Sequence, residues 1–164
     1  GLKMSSSWGK KLEKKLNGLA DTASKDSVQT LSNWIGFNRK HAPILATVLT
    51  NNLRDAKNNA KRQWMHWRLI HLILVNESEN SRKWEKLAEL RVALGEALQP
   101  EMKLLGSAMP DELGAYLEEW EDKNVFGGPS TNAQIRRLYA NRNNAAPTSI
   151  NPSSTAKTAV DADA

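Results

Sequence analysis

The chain has 164 residues, 40% of them hydrophobic and 25% charged, with a net charge of +5 and no cysteine. That length suits one domain with tails and a single sizeable core. The missing cysteines exclude a disulfide scaffold and a thiolate metal site and fit a reducing compartment, and no apolar run approaches the roughly 18 residues that span a bilayer.

The apolar spacing is helical throughout, with no convincing alternating strand. Residues 1–6 read as a flexible segment. Met4 is taken as the natural start after an added Gly1-Leu2-Lys3, and this lysine-rich beginning has no signal-peptide pattern. A first helix is expected over about Ser7 to Leu19, with Trp8, Leu12, Leu16 and Leu19 on one stripe. A second begins near Asp26 or Ser27, either able to accept from the orphan N–H groups of a first turn. It buries Val28, Leu31, Trp34 and Ile35. Pro43 suits the first turn of a third helix, which turns Ile44, Val48 and Leu53 inward.

The fourth helix, about Asn59 to Ser78, carries Trp64, Met65, Trp67, Leu69, Ile70, Leu72, Ile73, Leu74 and Val75 around nearly its whole circumference. A helix apolar all round is buried by its neighbours, so this one is expected at the centre. A fifth is expected from about Ser81 to Leu98, with Trp84, Leu87, Leu90, Val92, Leu94 and Leu98 facing inward. Pro100 ends it or starts a short extra turn around Met102 to Leu105. Pro110-Asp111-Glu112 opens a seventh helix, its acids at the positive end of the helix dipole, with Leu113, Tyr116, Leu117 and Trp120 as core. Gly127-Gly128-Pro129 breaks the chain, with positive φ expected at the glycines. Ser130 or Thr131 then caps a last helix carrying Ile135 and Leu138. Over 141–164 Ala, Pro, Ser, Thr and Asn dominate, and this tail is expected to be disordered.

Seven basic residues stand against one acid between Arg39 and Arg68, and twelve acids against five bases between Glu77 and Asp122. The split suits either a basic face that attracts a polyanion or two solvated helix faces of opposite sign. Nothing marks an enzyme. His66 and His71 are five apart and miss the i, i+4 spacing of a helical metal pair. No carboxylate pair, Gly-x-Ser-x-Gly elbow or phosphate-cradling loop accompanies them, so no metal or cofactor is expected. His71 reads as a satisfied polar group on a buried helix, and His41 as a helix-end or loop residue. Trp34, Trp64, Trp67, Trp84 and Trp120 read as core, and only Trp64 and Trp67, beside Lys61, Arg62 and Arg68, are placed for stacking on bases. Asn76 and Glu77, at the end of the apolar fourth helix, either cap it or line a groove.

Four stretches fall in a recognisable order. They are Leu12-Glu13-Lys14-Lys15-Leu16; Ser27-Val28-Gln29-Thr30-Leu31-Ser32-Asn33-Trp34 with Arg39-Lys40-His41-Ala42; Leu72-Ile73-Leu74-Val75-Asn76-Glu77; and Trp120-Glu121-Asp122-Lys123-Asn124-Val125-Phe126-Gly127-Gly128. In order and spacing, over about residues 10 to 140, the chain resembles the CTD-interacting domains (CID), modules that read the repetitive C-terminal tail of RNA polymerase II. The subgroup it resembles is that of the pre-mRNA-domain regulators and their yeast termination-factor relative.

The resemblance implies an all-α, right-handed superhelix of about eight helices over residues 7–140, an architecture shared with VHS and ENTH adaptors. It implies a peptide groove where the end of the fourth helix (Ile73, Asn76, Glu77, Asn80) meets the second helix and the seventh (Tyr116, Lys123). In such a groove the acid accepts a bond from the heptad's tyrosine hydroxyl, and the asparagine amide holds the peptide backbone in a turn. This chain departs from the family at three positions. Glu77 stands where Asp is usual, Ile73 where Tyr is common, and Ala115, aligned without a gap, where relatives place a phosphate-reading arginine. Lys123 keeps a second basic position, with charge but no bidentate fork. Lys123, Arg136, Arg137 and Arg62 are the candidate contacts for phosphate or another polyanion.

The expected function is therefore a nuclear binding module for the polymerase heptad repeat, linked to transcription termination or RNA 3′-end processing. Two alternatives stand beside it. One is a VHS- or ENTH-type adaptor for sorting peptides or membrane, which the absence of an amphipathic insertion helix disfavours. The other is a weak RNA binder using the basic patch from Arg39 to Arg68. Relatives carry a coiled coil after the domain, but no heptad run follows Arg142, so a monomer with no membrane partner is expected.

Overall fold

The computed structural model of the chain describes residues 2–80 and 88–144, and side chains within 7–79 and 89–144. The described residues form seven α-helices: α1 (Leu2–Asn17), α2 (Lys25–Phe37), α3 (Ala42–Asp55), α4 (Ala60–Asn80), α5 (Ala88–Leu105), α6 (Leu113–Asp122) and α7 (Pro129–Ala140). Short 3-10 turns at Arg39–His41 and Gly106–Ala108 join α2 to α3 and follow α5. There is no strand among the described residues. Trp84, Leu87 and the tail from 145 onward lie outside them.

The helices stack in two layers. α1, α3, α5 and α7 pack in succession, and α2, α4 and α6 form a second row against them. α4 sits in the middle of that row and also touches α3 and α5. This explains its apolar circumference. Met65, Trp67, Leu69, Ile70 and Leu74 are fully buried, and Ile73 nearly so. The longest apolar run in the chain is thus the one helix with neighbours on four sides.

Several boundaries differ from the sequence expectation, each for a local reason. α1 begins at Leu2 rather than near Ser7. α2 is capped by Ser24, whose Oγ accepts from the Ser27 N–H at 3.1 Å, ahead of the expected caps Asp26 and Ser27. α5 runs straight through Pro100. A proline inside a helix removes one hydrogen bond. Here Leu98, Met102 and Leu105 are all buried on both sides of it, and that packing outweighs the lost bond. α6 starts at Leu113, after Pro110–Glu112 as a turn. α7 starts at Pro129 itself, with Gly128 before it and no side-chain cap. Gly127 has the positive φ expected of that break (78°), while Gly128 is extended. Val92 is 44% exposed rather than core, and Val125 and Phe126 are buried instead.

Polar pairs tie the helices together. Glu101 of α5, nearly fully buried, takes a bidentate pair from Arg54 of α3 at 2.8 and 3.0 Å. Arg62 closes the end of α1. It donates to the carbonyls of Leu16 (2.6 Å) and Leu19 and pairs with Asp21 at 3.4 Å. Those carbonyls lie at and just past the C-terminus of α1, where a cation is favoured. His66 is buried, and that burial lowers its pKa from 6.5 to about 4.

Two outcomes follow for stability. Leu74→Ala should cost about 2–5 kcal/mol in chemical denaturation, because a fully buried leucine leaves a cavity. Val75→Ala, half-buried, should cost clearly less, and equal losses would contradict the central placement of α4. For His66 the folded pKa lies below the unfolded one. Above pH 6.5 both states are neutral and stability is complete; between 6.5 and about 4 only the unfolded state takes the proton. Burial also lowers His41 and His71, so all three histidines push the same way. The melting temperature should fall as pH drops through that window, and His66→Gln should flatten the slope.

Candidate peptide-binding pocket

A pocket of about 110 Å³ opens between α2 and α4, lined by Ser32, Asn33, Gly36, Phe37, Arg39, Ile73, Asn76 and Glu77. The spacing 32, 33, 36, 37 is one face of a helix, and 73, 76, 77 is the facing strip of α4. Ile73 forms an apolar floor, 1% exposed. Phe37 stands at the lip with 82% of its surface in solvent. Ser32 is buried; its Oγ donates to the Gln29 carbonyl at 3.1 Å and accepts a long contact from Asn76 Nδ2 at 3.4 Å. Asn76 is half-buried, and its Oδ1 accepts from no donor among the described residues. The pocket therefore offers a floor, an exposed ring and an unsaturated amide.

Its base is electrostatic. Glu77 is 2% exposed and takes both donors of Arg39, Nε and Nη2, at 2.9 Å each. A carboxylate out of water needs such a partner, and the two-point guanidinium fork is the strongest available. Arg91, also buried, lies within the field of Glu77 and donates to the Val125 carbonyl at 2.9 Å. Gly36 makes the approach possible. A Cβ there would lie 3.3 Å from Arg39 Nη2 and 3.6 Å from Glu77 Oε2.

Three of the sequence-derived site residues, Ile73, Asn76 and Glu77, meet in this pocket. The side chain of Asn80 lies outside the described residues. Tyr116 is elsewhere: it stacks on His71 at 3.8 Å and on Trp64 at 5.0 Å between α4 and α6. His71 lies two residues, about 200° around α4, from Ile73. Its Nδ1 accepts from Trp120 Nε1–H at 2.9 Å, so it is a satisfied polar group. Lys123 reaches Glu119 (3.9 Å) and Glu79 (4.0 Å) beside a separate recess with Ser78 and Asp122. Arg136 pairs with Glu121 at 3.8 Å, and Arg137 bonds Gln134. Arg62 is held by α1 as described. Ala115 is exposed on α6.

Sequence reading missed Ser32, Asn33, Gly36 and Phe37 as lining, and Arg39 as the partner of Glu77. Gly36, the next-to-last residue of α2, was the available signal. The basic stretch from Arg39 to Arg68 is largely spoken for: Arg39, Arg54, Arg62 and Arg68 all bond protein groups, Arg68 the Ala23 carbonyl at 3.3 Å. Trp67 is core, whereas Trp34 and Trp64 are only half-buried.

Fold and pocket together define a class: a helical superhelix with a small pocket in one of its rows. The chain belongs to the CID domain family, whose sequence profile matches residues 10–134. It is similar to Regulation of nuclear pre-mRNA domain-containing protein 1A of Homo sapiens, 29% identical over 131 residues, which is 80% of this chain and 40% of that protein. Protein 1B of Mus musculus is 31% identical over 117 residues, 71% of this chain and 34% of that protein. Protein 1A of Gallus gallus is 28% identical over 131 residues, covering 47% of that protein. The chain thus spans less than half the length of these relatives.

Removing Arg39 should leave a buried carboxylate short of its main partner. Arg39→Ala is expected to destabilise the fold by roughly 2–5 kcal/mol in urea titration, against nearly nothing for the exposed neighbour Lys40→Ala. An unchanged midpoint for Arg39→Ala would show that Glu77 is held by something else.

Proposed function

We propose that the chain is a nuclear binding module for the heptad-repeat C-terminal tail of RNA polymerase II, connecting it to transcription termination or RNA 3′-end processing. Family membership supports the partner class, and the α2–α4 pocket supports the place. The carrying observation is the coincidence of an apolar floor, an exposed Phe37 ring and the unsaturated Asn76 amide at one spot. A tyrosine- and proline-rich peptide needs those three things: apolar contact for its rings and a polar anchor for its backbone. Glu77 keeps lone pairs beyond its two bonds to Arg39, and a tyrosine hydroxyl can donate to one of them.

Phosphate is poorly served. Alanine at position 115 offers no donor, and Lys123 is engaged with Glu79 and Glu119. A phosphate approaching Lys123 meets those same acids. The module therefore reads the peptide more than its phosphorylation.

Titration of labelled heptad peptides, plain and phosphorylated on the serine at the heptad's second position, tests this. The wild type should bind both, with a preference for phosphate under about tenfold, or 1.4 kcal/mol. Asn76→Ala should weaken binding of both about three- to tenfold, the value of one hydrogen bond of roughly 0.5–1.5 kcal/mol, with the melting temperature unchanged. Ala115→Arg should strengthen the phosphorylated peptide more than the plain one. Wild-type affinity in Asn76→Ala would overturn the pocket assignment.

A further inference from the structure

Among the described residues, four exposed lysines cluster on α1, whereas the arginines between Arg39 and Arg68 are bonded to protein groups. Lys10, Lys11, Lys14 and Lys15 are all exposed. Lys11 and Lys15 share a face with Trp8. Glu13, the one acid of α1, is two residues or about 200° away from Lys11 around the helix. Trp8 and Trp34 of α2 approach across this side, ring centroids 6.2 Å apart. Lys11 Nζ lies 4.8 Å over Trp8, and Lys15 Nζ 4.8 Å over Trp34. His41 stacks on Trp8 at 4.1 Å and holds that ring in place. Trp8, Lys11, Lys14, Lys15, Trp34 and Asn38 line a recess of about 520 Å³ here. It continues past Lys15 and Trp34 into a second recess reaching Thr30 and Gly18, with Asp26 at its far side.

We propose that this groove between α1 and α2 binds single-stranded nucleic acid. Aromatic faces interleaved with lysines are what a strand without base pairing requires: rings for the bases and ammonium groups for the phosphates. The lysines that now sit over the rings are flexible, and a base can take their place as they turn to the backbone. A membrane surface fits less well. Both rings are half-buried, and no exposed large apolar side chain lies on α1 among the described residues. The groove is also independent of the peptide pocket. Trp34 is about 200° around α2 from Ser32 and from Gly36, and although Phe37 and Asn33 at the pocket's edge lie about 60° and 100° from it, the two sites share no residue. A peptide and a strand can be held together.

The test is fluorescence anisotropy of short labelled RNA and DNA single strands with the whole chain. Binding is expected, with the logarithm of affinity falling against the logarithm of salt with a slope of about −2, as for three phosphate contacts. The charge reversal Lys11→Glu/Lys14→Glu/Lys15→Glu should lose at least tenfold while circular dichroism and heptad binding stay as in wild type. Trp34→Leu, which keeps an apolar contact, should lose several-fold. A duplex of the same sequence should bind more weakly than the single strand. RNA and DNA arms distinguish the two sources of the strand, and binding of either supports the proposal. No binding, binding unaffected by the reversal, or a duplex bound as tightly would overturn it. So would tighter, reversal-sensitive binding to phosphatidylserine vesicles, which would make the surface a membrane contact. Failure of heptad binding would leave these outcomes unchanged, since the groove shares no residue with the pocket.

Discussion

A carboxylate buried at the end of the central helix constrains the rest of this domain. Glu77 is 2% exposed, a carboxylate so far out of water needs a cation in contact, and Arg39 supplies one from the turn after α2. To do so, α2 must end beside α4, and the chain must turn sharply into α3 at Arg39–His41. Gly36 removes the side chain that would crowd the pair. The same geometry leaves the α2–α4 pocket beside the pair. Stability and binding surface are therefore set by one contact.

The two-row stacking explains why so little of the surface is available for binding. α3 and α5 are consumed by each other and by α4, and the pair between Arg54 and the buried carboxylate of Glu101 locks them. The ladder of Trp64, Tyr116, His71 and Trp120 fastens α6 to α4. Open recesses remain along the strip of α2 against α4, between α1 and α2, and beside Lys123 at the end of α6. The first two flank α2 and share no residue.

The helices were legible because their apolar spacing is regular and α4 has no polar side. The pocket was legible in half. Ile73, Asn76 and Glu77 follow directly on the buried run, so a polar pair there had to be either a cap or a lining. Their α2 counterparts were not, because Ser32 and Asn33 look like ordinary helix surface until the facing helix is known. Arg39 looked like surface charge for the same reason, since the sequence separates it from Glu77 by 38 positions. Pro100 misled because local backbone chemistry was weighed without the packing of Leu98 and Met102 around it. Tyr116 belonged to the correct helix but to its α4-facing ladder, a distinction of helical phase that requires the partner helix.

Amide NMR of the whole chain during titration with an unphosphorylated heptad peptide addresses the central claim most directly. The account predicts that the largest shifts fall on Ser32, Asn33, Gly36, Phe37, Ile73 and Asn76, with the α1 lysines and the Arg54–Glu101 region unmoved. Shifts centred on α1, on α3 and α5, or absent at saturating peptide would contradict it.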